Sequence, residues 1–277
     1  MDPFSDEILG VKIQIAAMLE KIPVLPKAIE VLEIMRSDNL KWDKELGHLE
    51  RNKQKRTRVL AKTIAISVKL GELYADPRVW EPALAEERLT WAVETSLREL
   101  ARRQRDKVSD EDEGPWLSAD EMGAAMESLA HRFEDKDEHY LATPLFLRAL
   151  ALKAEPDCHS VVLMNNLATS MAQQRTPIVE EGQTPPTRTQ MVRDAGEWAD
   201  KALALAARIA PPARTEECDV GCAVALHNLG EFAEMRGNLQ EARKRYKESI
   251  SLAQAIGFTE GTIQSQSRLK AIGSSDE

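Results

Sequence analysis

Two histidines and four carboxylates crowd the run HRFEDKDEH, and five of these groups, His131, Glu134, Asp135, Asp137 and His139, have the look of a metal cluster. Imidazole and carboxylate groups are zinc ligands, but this run falls where one helix gives way to the next. The later residues are carried away from the helix that bears His131, so the run reads as a solvated charged turn. Cys158, Cys218 and Cys222 come with neither a CxxC pair nor a matched pair of histidines, so they form no zinc pattern. There is no glycine-rich phosphate loop, no nucleophile elbow and no cysteine with a convincing basic partner. No catalytic residue and no cofactor is expected. The remaining polar chemistry is that of amides, above all Asn165, Asn166 and Asn228. An amide donates to a carbonyl and accepts from an N–H, so it can hold an extended backbone whatever its sequence.

The elements that must position these groups are short helices. Met126, Leu129, Ala130 and Phe133 lie at steps of three, one and three, which puts them on one helical stripe. Ala142, Phe146 and Ala149 repeat that stripe after a polar break. Small residues at 130 and 142 allow two helices to cross closely. The spacing recurs as Leu226, Leu229, Gly230 and Ala233, followed by Gly237 in a turn and then Ala242, Tyr246 and Ser249. This is the tetratricopeptide pattern, a helix pair repeating at about 34 residues.

Three further copies follow. Met164, Leu167, Ala168 and Met171 pair with Ala195, Ala199 and Ala202, but the interval from Ala168 to Ala195 is 27 where the other two copies have 12. Fifteen residues are therefore inserted. Leu70, Gly71 and Tyr74 pair with Trp91, Ala92 and Thr95, and Ile15, Ala16 and Leu19 pair with Ala28, Leu32 and Met35. The expected fold is an all-α solenoid of about five helix-turn-helix repeats, at about 6–42, 60–102, 119–156, 160–209 and 222–256, with a capping helix at 259–272. One domain would then fill the 277 residues.

The segments between repeats follow from composition. RQRDKVSDEDEGP, after Arg102, is dense in charge and reads as a solvated connector. Ser118 and Glu121 form a capping-box sequence that fixes the start of repeat three. The inserted loop, 174–193, is rich in Pro and Thr and is expected to be disordered, with a lid or partner contact as the other reading. The three cysteines precede first helices of adjacent repeats. Idle thiols are the default, and in an oxidising compartment Cys158 could reach Cys218 or Cys222.

Hydrophobic content of 43% supports a real core, and a net charge of −9 argues against duplex nucleic acid. The basic run Arg51, Lys53, Lys55, Arg56 and Arg58 reads as the solvated face of a long helix. No run of eighteen apolar residues is present, so no membrane contact is expected from this segment. The acidic start MDPFSDE carries no targeting signal, and an anchor or presequence is expected upstream.

In such a stack the first helices line the concave face, so residues beside each anchor leucine can touch a ligand. One before the anchor stand Gln14, Lys69, Ser128, Asn166 and Asn228; two before it Ile13, Val68, Glu127, Asn165 and His227. Two after come Ala17, Glu72, His131, Thr169 and Glu231; five after, Glu20, Ala75, Glu134, Ala172 and Glu234. The expected peptide groove comprises Glu127, His131, Glu134, Asn165, Asn166, Thr169, His227, Asn228, Glu231 and Glu234. It would take neutral or basic extended segments. The alternative for Asn166 and Asn228 is bonding to neighbouring helix carbonyls.

Asn166 and Asn228 resemble the asparagines with which TPR cochaperones hold a peptide backbone. The cations that complete that family's carboxylate clamp are absent, since the positions five before each anchor are Gly10, Ala65, Ala124, Val162 and Val224. An acidic chaperone tail is therefore disfavoured. LGELYADP (70–77), TWAVET (90–95), HYLATPLFLRAL (139–150) and VVLMNNLATSMAQQ (161–174) resemble the fungal mitochondrial TPR adaptor of the i-AAA protease. The resemblance implies an inner-membrane protein whose repeats face the intermembrane space and recruit unfolded or membrane-protein substrates to the protease. The competing expectation is a scaffold for one fixed folded partner, such as a respiratory-complex assembly factor.

Overall fold

Glycine and alanine at the helix crossings govern how closely the hairpins of this chain can close. The computed structural model describes residues 25–175 and 186–273, together with Phe4, Ile8, Gly10, Val11, Gln14 and Met18. Every regular element among the described residues is helical. Two compact units divide the chain, Met1–Arg132 and Phe133–Glu277.

The first unit holds α1 (Leu25–Trp42), α2 (Lys53–Ala75), α3 (Pro82–Asp106), α4 (Asp110–Glu113) and all but the last two residues of α5 (Ala119–Glu134). In α1 the buried stripe Leu25, Ala28, Leu32, Met35, Asn39 and Trp42 steps by three and four residues. It packs on Ile66, Leu70, Leu73 and Tyr74 of α2. The partner expected for it in repeat one, built on Ile15, Ala16 and Leu19, lies outside the described residues. Between α2 and α3 the anchor glycine shows its purpose: a Cβ on Gly71 would stand 2.4 Å from Leu89 Cγ. Only glycine allows that approach.

The segment after Arg102 corrects the sequence reading, because it is folded and partly buried. Ser109 caps α4, accepting from the Asp112 N–H at 3.2 Å. Glu113 and Arg103 are both buried, and Arg103 donates to the carbonyl of Gly114 at 2.9 Å and to Thr57 Oγ1 at 2.7 Å. Opposite charges spaced along this run let it pair internally instead of solvating. The basic run at 51–58 is also engaged in part: Arg56 lies 3.1 Å from Asp43, and Lys55 sits over the Trp42 ring at 4.9 Å. The expected capping box at α5 is present, with Ser118 N–H donating to Glu121 Oε2 at 2.8 Å and Glu121 N–H to Ser118 Oγ at 3.2 Å.

The second unit contains α6 (His139–Leu152), α7 (Cys158–Gln173), α8 (Arg188–Arg208), α9 (Glu216–Met235), α10 (Leu239–Ala255) and α11 (Thr259–Gly273). Asp157 and Ser160 cap α7 reciprocally. Helix α9 packs on α8, on α10 and on α7, the neighbour pattern of stacked hairpins. Its core is built from alanine, with Ala168, Ala172, Ala195 and Ala199 against Val192, Leu229 and Phe232. The anchors Leu167 and Leu229 are buried, as is Leu129 in the first unit. The interval between α7 and α8 is shorter than the sequence reading of 174–193, because α8 starts at Arg188 with Thr187 accepting from the Gln190 N–H. Residues 176–185 of that interval lie outside the described residues.

Gly230 repeats the device of Gly71. A Cβ there would meet Tyr246 Cε1 at 2.6 Å, and Tyr246 is fully buried with its hydroxyl donating to Glu234 at 2.9 Å. The ring has nowhere to go. Alanine normally stabilises a helix over glycine by about 1 kcal/mol, yet Gly230→Ala is expected to destabilise by about 1–3 kcal/mol through overpacking. Chemical denaturation read by helix content measures the sign.

Candidate inner-face binding surfaces

Leading helices present two candidate surfaces, one in each unit. In the first unit α2 and α5 enclose a pocket of about 280 Å³. Its floor is Ile64, Val68, Leu117, Ala124 and Ala125, with Ala65 beside them and Lys69, Glu72 and Glu121 at the rim. Alanine at 65, 124 and 125 leaves room where a larger side chain would fill the space. Ala65, Val68, Lys69, Glu72 and Ala124 occupy the repeat positions that the sequence places on the concave face. Ile64, Leu117, Glu121 and Ala125 were not among them. Glu121 was legible only as a cap, and Leu117 precedes the helix and follows no repeat spacing. Glu127 and His131 lie further along α5, with His131 exposed and its Nε2 3.8 Å from Glu127 Oε1.

The rim is charged on both sides. Lys69 Nζ lies 3.6 Å from Glu72 Oε2, and Ser128 Oγ is 3.5 Å from Glu72 Oε1. The rim carries one ammonium and two carboxylates, Lys69 and Glu72 on α2 and Glu121 on α5.

In the second unit the expected groove residues separate into two groups. Asn165 is 2% exposed and donates through Nδ2 to the Gly221 carbonyl at 2.8 Å. It therefore ties α7 to α9, where a Cβ on Gly221 would come within 2.7 Å of Val161 Cγ1. This is the structural alternative for a groove asparagine, realised one residue earlier than the sequence placed it. His227 is also occupied: its Nδ1 lies 2.8 Å from Ser265 Oγ on α11, and its ring tilts against Tyr246 at 5.4 Å. Glu234 accepts from the Tyr246 hydroxyl and from Arg268 at 2.5 Å. These contacts seat the terminal helix.

The His227 ring, whose Nε2 is 3.6 Å away, holds the Glu231 carboxyl below its usual range although burial opposes it. Burial pushes the Tyr246 phenol well above its usual range, with Arg268 opposing and Glu234 adding to the rise. Asn166 and Thr169 are half-buried on the same helix as Asn165, and Asn228 is buried with its Nδ2 lacking a hydrogen-bond partner. Glu134, at the end of α5, has Oε1 4.0 Å from Nδ1 of the buried His139, and Asp137 lies 3.4 Å from the other ring nitrogen. Among the described residues no group of three or more His, Cys, Asp or Glu could hold a metal ion.

The cysteines pair across the same two helices. Cys158, opening α7, is bonded to Cys218 in α9, with Cα atoms 4.7 Å apart. Cys222 is free, one turn further along α9.

Hairpins of this kind, closed on small residues, give the chain a fold of TPR-like repeats. No family model matches it. It is 29% identical over 267 residues to a TPR repeat-containing protein of Schizosaccharomyces pombe, an alignment that covers 96% of this chain. The chain spans 65% of the length of that curated relative. Among solved structures, the nearly identical TPR-like repeats of a putative kinesin light chain from Podosopora anserina superimpose with a TM-score of 0.53 at 15% identity, covering 89% of this chain and 96% of that one. BtubC (BKLC) from P. vanneervenii gives 0.53 at 15% identity, covering 90% and 89%. At that identity the likeness is one of fold.

Proposed function

We propose that this chain is a non-enzymatic adaptor whose leading helices hold extended protein segments, and that it recruits unfolded or membrane-protein substrates to the mitochondrial i-AAA protease. The observation that carries the binding role is the α2–α5 pocket, an apolar recess built from the ligand-facing positions of consecutive repeats. Asn166 and Thr169 add a polar face suited to main chain in the second unit. The resemblance of the runs at 70–77, 90–95, 139–150 and 161–174, each of which also serves the repeat, supports the protease adaptor. A Cys158–Cys218 bond supports an oxidising compartment, since thiols in the cytosol are kept reduced. In this reading the repeats face the intermembrane space, and membrane attachment belongs to a segment upstream. Among the described residues no helix is long and apolar enough to cross a membrane.

A second reading, a scaffold with one fixed folded partner, is favoured by Trp80. This side chain is 58% exposed and sits at φ +49° in a turn pinned by bonds to the Asp76 and Tyr74 carbonyls. An exposed, pre-positioned tryptophan is a typical interface anchor.

Photocrosslinking in mitochondria of the source organism, with probes at positions 124 and 166, separates the two. Many unfolded clients together with the protease support the adaptor; one stoichiometric folded partner supports the scaffold. In peptide titrations the Asn166→Ala, Asn228→Ala double variant is expected to lose about thirtyfold in affinity, from two amide hydrogen bonds of about 1 kcal/mol each. Undiminished binding would remove the second unit's face from the site.

A further inference from the structure

Building on the client-binding reading, we propose that the α2–α5 pocket selects segments in which one large apolar side chain stands beside a lysine or arginine. Space and lining define the anchor. A dry cavity of about 150 Å³ already accommodates benzene, so the recess of about 280 Å³ takes an aromatic ring or a leucine with its flanking methylene. Ile64, Val68, Leu117, Ala124 and Ala125 offer that group only carbon contacts, and a polar side chain placed there would lose its hydration without replacement.

The rim supplies the second requirement. Lys69 and Glu72 lie together on α2, and their charges largely cancel. Across the mouth the Glu121 carboxylate accepts from the Ser118 N–H and hydroxyl, contacts that fix its position and, being with a neutral residue, bring no positive charge to it. Glu127 continues the acidic edge along α5. A cation one or two residues from the anchor meets this edge favourably, whereas an anion there is repelled. Both Glu72 and Glu121 are exposed, so this charge preference weakens with salt while the apolar preference persists.

The test is fluorescence anisotropy with labelled unstructured 12-residue peptides carrying one phenylalanine flanked by lysines. Replacing the phenylalanine by alanine is expected to weaken binding by at least about tenfold, the effect of withdrawing a large apolar side chain from its pocket. Replacing the lysines by glutamates is expected to cost several-fold at low salt and less at high salt. On the protein side, Ala65→Leu with Ala124→Leu fills the recess from two exposed helical positions that leucine suits, and should reproduce the alanine-peptide loss with helix content unchanged. Equal affinity for phenylalanine and alanine peptides, or full binding by the filled variant, overturns the selectivity and leaves the adaptor reading standing. Failure of wild type to bind any peptide in a panel that includes neutral and acidic sequences overturns both.

Discussion

Replacing Cys158 by serine is expected to lower the unfolding free energy of the unit at Phe133–Glu277 by about 4 kcal/mol, the chain-entropy value for a loop of this length. The bond to Cys218 spans 60 residues of sequence, and the enclosed chain includes all of α8 and the undescribed interval before it. Without the bond, that interval is free to enlarge the unfolded ensemble. Both partners are buried among Val161, Ala202, Ala206 and Ala225, where serine introduces little steric change, so the loss reports the crosslink. Urea unfolding of wild type with and without reductant should bracket the variant, with reduced wild type and Cys158→Ser coinciding. Cys222→Ser should follow oxidised wild type, and the native oxidised chain should titrate a single thiol. Burial pushes the Cys222 thiol up while Arg214 draws it down, and the net rise keeps the thiolate scarce and exchange with the neighbouring bond slow. A midpoint indifferent to reductant would show that the bond does not form in solution.

The helical repeats were legible because their determinants are local. Anchor leucines, small crossing residues and the Ser118–Glu121 cap each act within one or two helical turns, and spacing along the chain reports such contacts directly. The candidate site residues were less legible, for a reason shown by Asn165 and Asn166. They are adjacent in sequence and both compatible with a concave face, yet one is tied to the Gly221 carbonyl and the other is half-buried on the neighbouring flank. A rotation of about 100° per residue separates these fates, and the repeat pattern fixes a helix's phase no more finely than that. His227 and Glu234 are engaged inside the fold for a different reason. Their partners Ser265 and Arg268 come from the polar terminal helix, whose sequence shows that it caps the stack and not which side chains it covers. The connector after Arg102 was misread because charge density alone does not distinguish a solvated run from one in which opposite charges pair.

That connector supplies the other large effect. Glu99 is 5% exposed and lies within reach of three guanidinium groups, at 2.6 Å from Arg102, 3.4 Å from Arg103 and 3.5 Å from Arg56. Arg103 stacks on Trp116, and Arg102 also reaches Glu113, so one carboxylate joins α2, α3 and the segment around α4. Burial alone pushes the Glu99 carboxyl up, but the Arg102 hydrogen bond and the charges of Arg56 and Arg102 outweigh it and hold the group below its ordinary range. Glu99→Gln keeps the shape and removes the charge, leaving Arg103 buried with less compensation. Removing one partner of a buried ion pair costs about 3–5 kcal/mol. The expected loss at neutral pH is about 3 kcal/mol, the lower end, because Arg56 and Arg102 are partly solvated. Since the folded carboxyl titrates below the unfolded one, its contribution is present above the unfolded value of about 4.3 and is lost as pH falls through the lower folded value. The gap between wild type and Glu99→Gln should therefore close on acidification, as wild-type Glu99 takes up its own proton. Denaturation midpoints at pH 7 and pH 3 measure it, and a gap that stays constant across that interval would assign the loss to packing instead of charge.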